Sequence, residues 1–95
     1  MDMSHVERCD VDECAYNSKG LCHTLAVTIG HEAGCPDCDT FFASERKGGN
    51  QGADAGIGAC KMASCQYNSQ FECGAPSVTV GHVKDHVHCL TFHEK

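Results

Sequence analysis

Two short segments of this chain alternate between apolar and polar positions. Residues 25–29 and residues 77–80 are both rich in β-branched side chains, and each is followed by a glycine. This period of two predicts a β-strand in each segment. The apolar faces consist of Leu25, Val27 and Ile29 in the first segment and of Val78 and Val80 in the second. We expect these faces to supply a small core, one half of the chain packing against the other.

Polar turn sequences and glycines separate the apolar segments. Residues 16–20 and 67–70 contain Tyr-Asn-Ser, and Asn and Ser side chains favour chain reversals. Residues 43–59 hold five glycines, which indicates a flexible connection. An alternative interpretation places a short helix at residues 53–59.

The cysteines form an internal repeat. Eight of the nine recur in register, the second set of four being shifted by 51 residues from the first. The two sets are Cys9, Cys14, Cys22 and Cys38, and Cys60, Cys65, Cys73 and Cys89. Only Cys35 falls outside this register, so the repeat indicates which thiols act together.

The repeat predicts two small modules. We expect an N-terminal arm at residues 1–8, a first four-cysteine module at 9–42, a linker at 43–59 and a second module at 60–95. Units of this size rarely bury enough apolar surface to fold without a metal or a cross-link. The expected fold is therefore a small, metal-stabilised, loop-rich α+β structure with short strands and a pseudo-two-fold repeat. Its little helix would be single turns at residues 10–13 and 61–64.

The cellular compartment determines whether the cysteines of such a chain form disulfides or bind metal. The N-terminus shows no apolar signal-peptide core, and the chain has no apolar run of about 18 residues that could span a bilayer. We therefore expect a cytoplasmic protein, and cysteines kept reduced there bind metal more often than they form disulfides. The odd number of cysteines also fits complete pairing poorly.

Four thiolates in each module suit a tetrahedral soft metal ion. We expect two zinc ions per chain, with iron or copper(I) as alternatives. The four-residue gap between the first two cysteines of each set suits a zinc site, whereas the later gaps are wider than zinc ribbons use.

Further side chains of each repeat are candidate ligands. Cys35 and His86 occupy equivalent positions, as do His31 and His82. One alternative replaces Cys22 and Cys73 with Cys35 and His86 as ligands. The histidines at 31 and 82 are either ligands, partners of a ligand sulfur, or simple turn residues.

His86 and His88 are two residues apart, which places both on one side of an extended segment. They form either an accessory metal site with His82 or His93, or an exposed polar strand that responds to pH.

Charge argues against nucleic acid as a partner. The formal net charge is −6, with only seven Lys and Arg residues, and phosphate binding requires clusters of basic side chains. We expect neither nucleic acid nor a membrane as a partner, and leave open a protein partner.

The two halves share an order of motifs. Each has two cysteines separated by four residues, then Tyr-Asn, a third cysteine, a Val-Thr strand and a closing Cys-x-Thr-Phe. This order resembles the small bacterial cysteine-rich domain-of-unknown-function family 1540, in tandem two-module form. The resemblance covers residues 9–42 and 60–93. It implies a metal-binding module for each set of cysteines and implies no activity.

Three classes of function follow. The leading hypothesis is a non-enzymatic zinc protein with two four-cysteine sites that serves as a structural or interaction module. The alternative is storage, buffering or sensing of a soft metal, similar to the role of a metallothionein, with the additional Cys and His ligands. Catalysis is the third class, and we expect no enzyme, because four thiols leave no open position on the metal.

Overall fold

The computed structural model describes residues 3–30, 35–50 and 52–95, and within these residues the regular structure is entirely β. The strands are β1 (His5–Cys9), β2 (Asn17–Ser18), β3 (Leu21–Cys22), β4 (Ala26–Ile29), β5 (Gly56–Cys60), β6 (Asn68–Ser69), β7 (Glu72–Cys73), β8 (Ser77–Val83) and β9 (His86–Cys89). The described residues contain no helix, and so none that could cross a membrane. Short strands are confirmed, but the expected helical turns at residues 10–13 and 61–64 are non-helical turns.

Five of the strands form one sheet that joins the two repeats. Its order is β4-β5-β1-β8-β9. The first strand of each repeat pairs in parallel with the strand that follows the hairpin of the other repeat, β1 with β8 and β5 with β4. Each parallel pair has a register shift at the same place, between Val6 and Arg8 in β1 and between Ile57 and Ala59 in β5. The two halves therefore exchange strands.

A short segment ahead of Cys38 connects the two edges of this sheet. Asp37 pairs with His88 of β9, and Cys38 pairs with Ile29 of β4, both in antiparallel bridges. The five strands and this segment thus form a closed ring of hydrogen-bonded neighbours around the core. The pair of Asp37 and His88 joins positions that are equivalent in the two repeats, as does the pair of His5 and Gly56 between β1 and β5. These two pairs lie on the pseudo-two-fold axis, at opposite ends.

The core lies between the halves, as the alternating segments predict. Val27 and Ile29 of the first repeat and Val78 and Val80 of the second are buried. They join one cluster with Val6, Val11, Ile57, Val87 and the buried cysteines. Leu25, in contrast, is 72% exposed, because β4 begins one residue after it.

Each repeat also contains a small hairpin, at the turn sequences that the polar residues predict. β2 pairs with β3, and β6 pairs with β7. Both turn residues of the first hairpin, Lys19 and Gly20, have positive φ, as do Gln70 and Phe71 in the second. Two consecutive positive φ values are what a type I′ turn requires, and that turn matches the twist of the strands it joins.

The structure differs from the expected boundaries of the modules. Residues 5–8, expected in an arm, lie in β1, and residues 56–59, expected in the linker, lie in β5. Neither segment has the alternation that marks a strand. Both are held by backbone pairing to a strand of the other repeat. The alternative of a helix at residues 53–59 is wrong.

Candidate metal centres

The first set of cysteines lines one small cavity. Cys9 ends β1, Cys22 ends β3, Cys14 lies in the turn between them, and Cys38 follows on the segment that bridges the sheet edges. All four border a cavity of about 10 Å³. Its other walls are apolar or aromatic, apart from one threonine: Val6, Val11, Tyr16, Val27, Thr40, Phe41, Val80 and Val87.

The second set lines an equivalent cavity of about 10 Å³. Cys60, Cys65, Cys73 and Cys89 border it together with Ile29, Ile57, Tyr67, Val78, Thr91 and Phe92. Each cavity includes residues of both repeats because the strands are exchanged. A cavity of this size is about that of one water molecule, so each has room for a single ion and not for an organic substrate.

The four sulfur atoms border each cavity but lie too far apart to bind one ion together as they stand. Among the described residues, no three sulfurs lie within 4.8 Å of one another. Zinc–sulfur bonds of about 2.3 Å in a tetrahedral site place the sulfurs about 3.8 Å apart. The four donors fit a soft metal in number and in chemistry, and binding one would require the cysteine side chains to move inward. All nine cysteines lie in the described part of the chain and carry free thiols.

The last cysteine of each set, which we call the closing cysteine, has the most strongly raised pKa of its set. Burial raises the pKa of the Cys38 thiol to about 11, although the backbone N–H groups of Thr40 and Phe41 donate to its sulfur and oppose the rise. Burial likewise raises the pKa of Cys89 to about 11, against the backbone N–H groups of Thr91 and Phe92. Without a metal, these sulfurs are neutral thiols. With one, the same N–H groups would stabilise the thiolates.

Electrostatic coupling also shows which thiols are neighbours. Burial raises the pKa of Cys22, and the nearby thiols of Cys9 and Cys14 raise it further, whereas the backbone N–H of Thr24 lowers it. The nearby thiols of Cys22 and Cys14 likewise raise the pKa of Cys38. In the second set, the nearby thiols of Cys73 and Cys60 raise the pKa of Cys89.

Shared polar residues hold the cysteine-bearing elements together. The Asn17 side chain, 3% exposed, donates to the carbonyl oxygen of Cys9 at 2.8 Å. Asn68 donates in the same way to Cys60 at 2.8 Å. Each hairpin is thereby tied to the strand that carries the first cysteine of its set, which explains the repeated Tyr-Asn motif.

The threonine of each Cys-x-Thr-Phe motif has a similar structural role. The Thr40 hydroxyl accepts a hydrogen bond from the backbone N–H of Thr28 at 3.1 Å. Thr91 accepts one from Thr79 at 3.0 Å. The closing cysteine is thus fixed against the strand of its own repeat.

The additional candidate ligands among the described residues do not line these cavities. Cys35 is half-buried and does not line the first cavity, and His86 does not line the second. Cys22 and Cys73, which the alternative set would replace, line theirs. His82 is exposed, with Nε2 3.2 Å from the Glu13 carboxylate.

The structure also places a side chain that the sequence did not single out. Asp37 lies beside His86 and His88, and this is the one group of three or more Cys, His, Asp or Glu ligand atoms within 4.8 Å that the described residues contain. His82 and His93, the partners considered from the sequence, are not members. Asp37 has no acidic counterpart in the second repeat, so comparison of the repeats gave no signal for it. His31 lies outside the described residues.

Comparison with known proteins supports the repeat and identifies its family. Searches of curated proteins and of solved structures found no match. The family described as Domain of Unknown Function (DUF1540) matches twice, at residues 8–41 and at residues 59–92. The matched ranges follow the two cysteine sets, begin one residue before the repeat units and cover most of the chain. The resemblance seen in the sequence is thus confirmed, and the chain belongs to this family, whose domain it contains in tandem.

Proposed function

We propose that the protein is a non-enzymatic metal-binding protein that holds two soft metal ions, zinc foremost, one in each set of four cysteines. The observation that carries the proposal is the pair of equivalent cavities. Each is bordered by one complete set of cysteines and has room for one ion. Iron and copper(I) are the alternative occupants, since both accept thiolate ligands.

The position of the two sets supports a structural role for the metal. Both cavities lie where elements of the two repeats meet, and their walls belong to the common core. An ion in either cavity would link the hairpin, the first strand and the closing cysteine of one repeat. Binding to a site that only the folded state contains stabilises that state.

Elemental analysis and native mass spectrometry of the untagged protein under reducing conditions test this proposal. We expect two tightly held ions per chain. Cys14→Ser and Cys65→Ser should each reduce the count to one, whereas Cys35→Ser, a matched control outside the register, should leave two. A chain without metal, or one in which Cys35→Ser removes an ion, would contradict the assignment.

Metal buffering or sensing is the second candidate function. The cluster of Asp37, His86 and His88 favours it, because these ligands lie outside both cysteine sets. Transfer to a chromophoric chelator separates the two functions. Structural sites should release zinc slowly and with loss of fold, whereas a buffering protein should release part of its zinc readily and remain folded.

The absence of catalysis is likewise a proposal. A catalytic zinc keeps a coordination position for water or substrate. Four thiols fill the coordination sphere, and cavities of about 10 Å³ admit no substrate.

The formal charge of −6 supports a partner other than nucleic acid, and the free thiols suit the reducing cytoplasm as the place of action. We propose a protein as the partner and no membrane association.

A further inference from the structure

We propose a third metal site, formed by Asp37, His86 and His88 at one end of the pseudo-two-fold axis, for a divalent ion such as Zn²⁺. Its ligands are not members of either cysteine set, although Asp37 and His88 each directly precede a closing cysteine. The three ligand atoms lie within 4.8 Å of one another. One carboxylate oxygen and two imidazole nitrogens form a donor set typical of zinc and other first-row divalent ions.

Backbone pairing brings these residues together. Asp37 and His88 are opposite each other in an antiparallel bridge. The bridge is flanked by hydrogen bonds from Cys38 N–H to the Val87 carbonyl oxygen and from Cys89 N–H to the Pro36 carbonyl oxygen, both at 2.8 Å. His86 is two residues before His88 on β9 and so lies on the same face. The sheet itself therefore fixes the spacing of the ligands.

The contact between Asp37 and His88 is not a hydrogen bond. Asp37 Oδ1 lies 2.8 Å from His88 Nε2, yet both atoms are buried and neither has a hydrogen-bond partner in the described structure. The two atoms approach without the alignment that a hydrogen bond needs. The contact is an ion pair only if His88 is protonated, and with a neutral imidazole the burial of these two polar atoms costs free energy. An ion that both atoms ligate would remove that cost.

His86 completes the group from the solvent side. Its Nδ1 lies 3.6 Å from Asp37 Oδ1, and its ring stacks on that of His88 with centroids 5.3 Å apart. The His86 side chain is 57% exposed, whereas that of His88 is 15% exposed. One ligand is therefore free to adjust while the other two are held, and water would complete the coordination of the ion.

An acidic recess leads to this group. A surface concavity of about 230 Å³ is bordered by Asp37, Asp39, Asp85 and His86. Carboxylates that line a concave surface raise the local concentration of cations. The recess thus gives a divalent ion access to Asp37 and His86, which border it, and through them to the more buried His88. Access from solvent also predicts faster exchange than in the cysteine sets, whose sulfurs are mostly buried.

The third site would connect the two halves of the molecule. Asp37 precedes the closing cysteine of the first set, and His88 precedes that of the second. An ion held between them would fix the segment that joins the two edges of the sheet. At this end of the axis, Cys35 stands where the second repeat has His86.

A zinc titration followed by NMR tests the proposal. The ¹⁵N-labelled full chain, first given two equivalents of Zn²⁺, is titrated with a third, and long-range ¹H–¹⁵N spectra follow the imidazole nitrogens. We expect the resonances of His86 and His88 to shift and native mass spectrometry to show one additional ion. The imidazole resonances report this site directly and are compared with those of the metal-free chain, so the result can be read even if the cysteine sets hold no metal.

Two variants and one control make the test specific. His86→Ala removes an exposed ring and Asp37→Asn keeps the side-chain shape, so both should fold. Each should weaken binding of the additional ion by at least the roughly 10–100-fold that loss of a residue supporting a metal ligand costs. His5→Ala, an exposed histidine at the opposite end of the axis, should leave it unchanged. Unshifted imidazoles in the wild type, or unchanged affinity in both variants, would overturn the third site.

Discussion

Binding of zinc to each cysteine set should release four protons. An ordinary thiol has a pKa of about 8.5 and is mostly protonated at neutral pH, and burial raises the pKa of the closing cysteines to about 11. Each must become a thiolate to bind. At about 1.36 kcal/mol per proton and pH unit, four protons change the apparent binding free energy of one ion by about 5.4 kcal/mol per pH unit. Acidification by one unit should therefore weaken the apparent affinity by about four powers of ten.

Isothermal titration calorimetry in buffers of different ionisation enthalpy measures this number. We expect about eight protons per chain for two ions bound by eight thiols. If His86 replaced Cys73, the number would fall to about seven, because a histidine is largely unprotonated above its usual pKa. Cys35→Ser should leave the number unchanged. Fewer than about three protons per ion would refute binding by four buried thiols.

Three further predictions follow from the fold. Phe71 is 60% exposed with a φ of 66°, so Phe71→Gly should stabilise the metal-loaded protein by about 1 kcal/mol, and an unchanged or lower Tm would contradict this. Asn17→Ala should destabilise it by about 1–3 kcal/mol in urea unfolding, since a buried carbonyl loses its donor, with Ser18→Ala as a nearly neutral control. The metal-free chain should lose stability as pH rises from 9 through about 11, because the raised pKa of the closing cysteines favours their neutral form in the folded state. A urea midpoint that stayed constant over this range would count against buried thiols.

Local signals in the sequence located several elements. Alternating β-branched residues predicted β4 and β8, and the Asn-Ser sequences predicted the hairpin turns. These elements form as predicted because short-range turn chemistry and one buried face decide them. The cysteine register likewise predicted which thiols share a cavity, since the duplication keeps each set in an equivalent environment.

Elements that depend on the other repeat were missed. Gly56-Ile57-Gly58-Ala59 has only one large apolar side chain, and glycine disfavours strands. β5 nevertheless forms, because its backbone pairs with β4 of the first repeat and Ile57 is buried in the common core. Asp37 was missed for the same reason: its contact with His88 exists only where the halves meet.

The exchanged strands have a consequence for synthesis on the ribosome. β1 is made first, but its parallel partner β8 is the next-to-last strand to emerge. Long-range parallel pairing is slow to form, and an unpaired strand edge is prone to association with other chains. Neither repeat can complete its sheet alone, because each lacks the partner for its own first strand. The smallest folding unit of this architecture is a pair of repeats, whether fused in one chain, as here, or supplied by two separate copies.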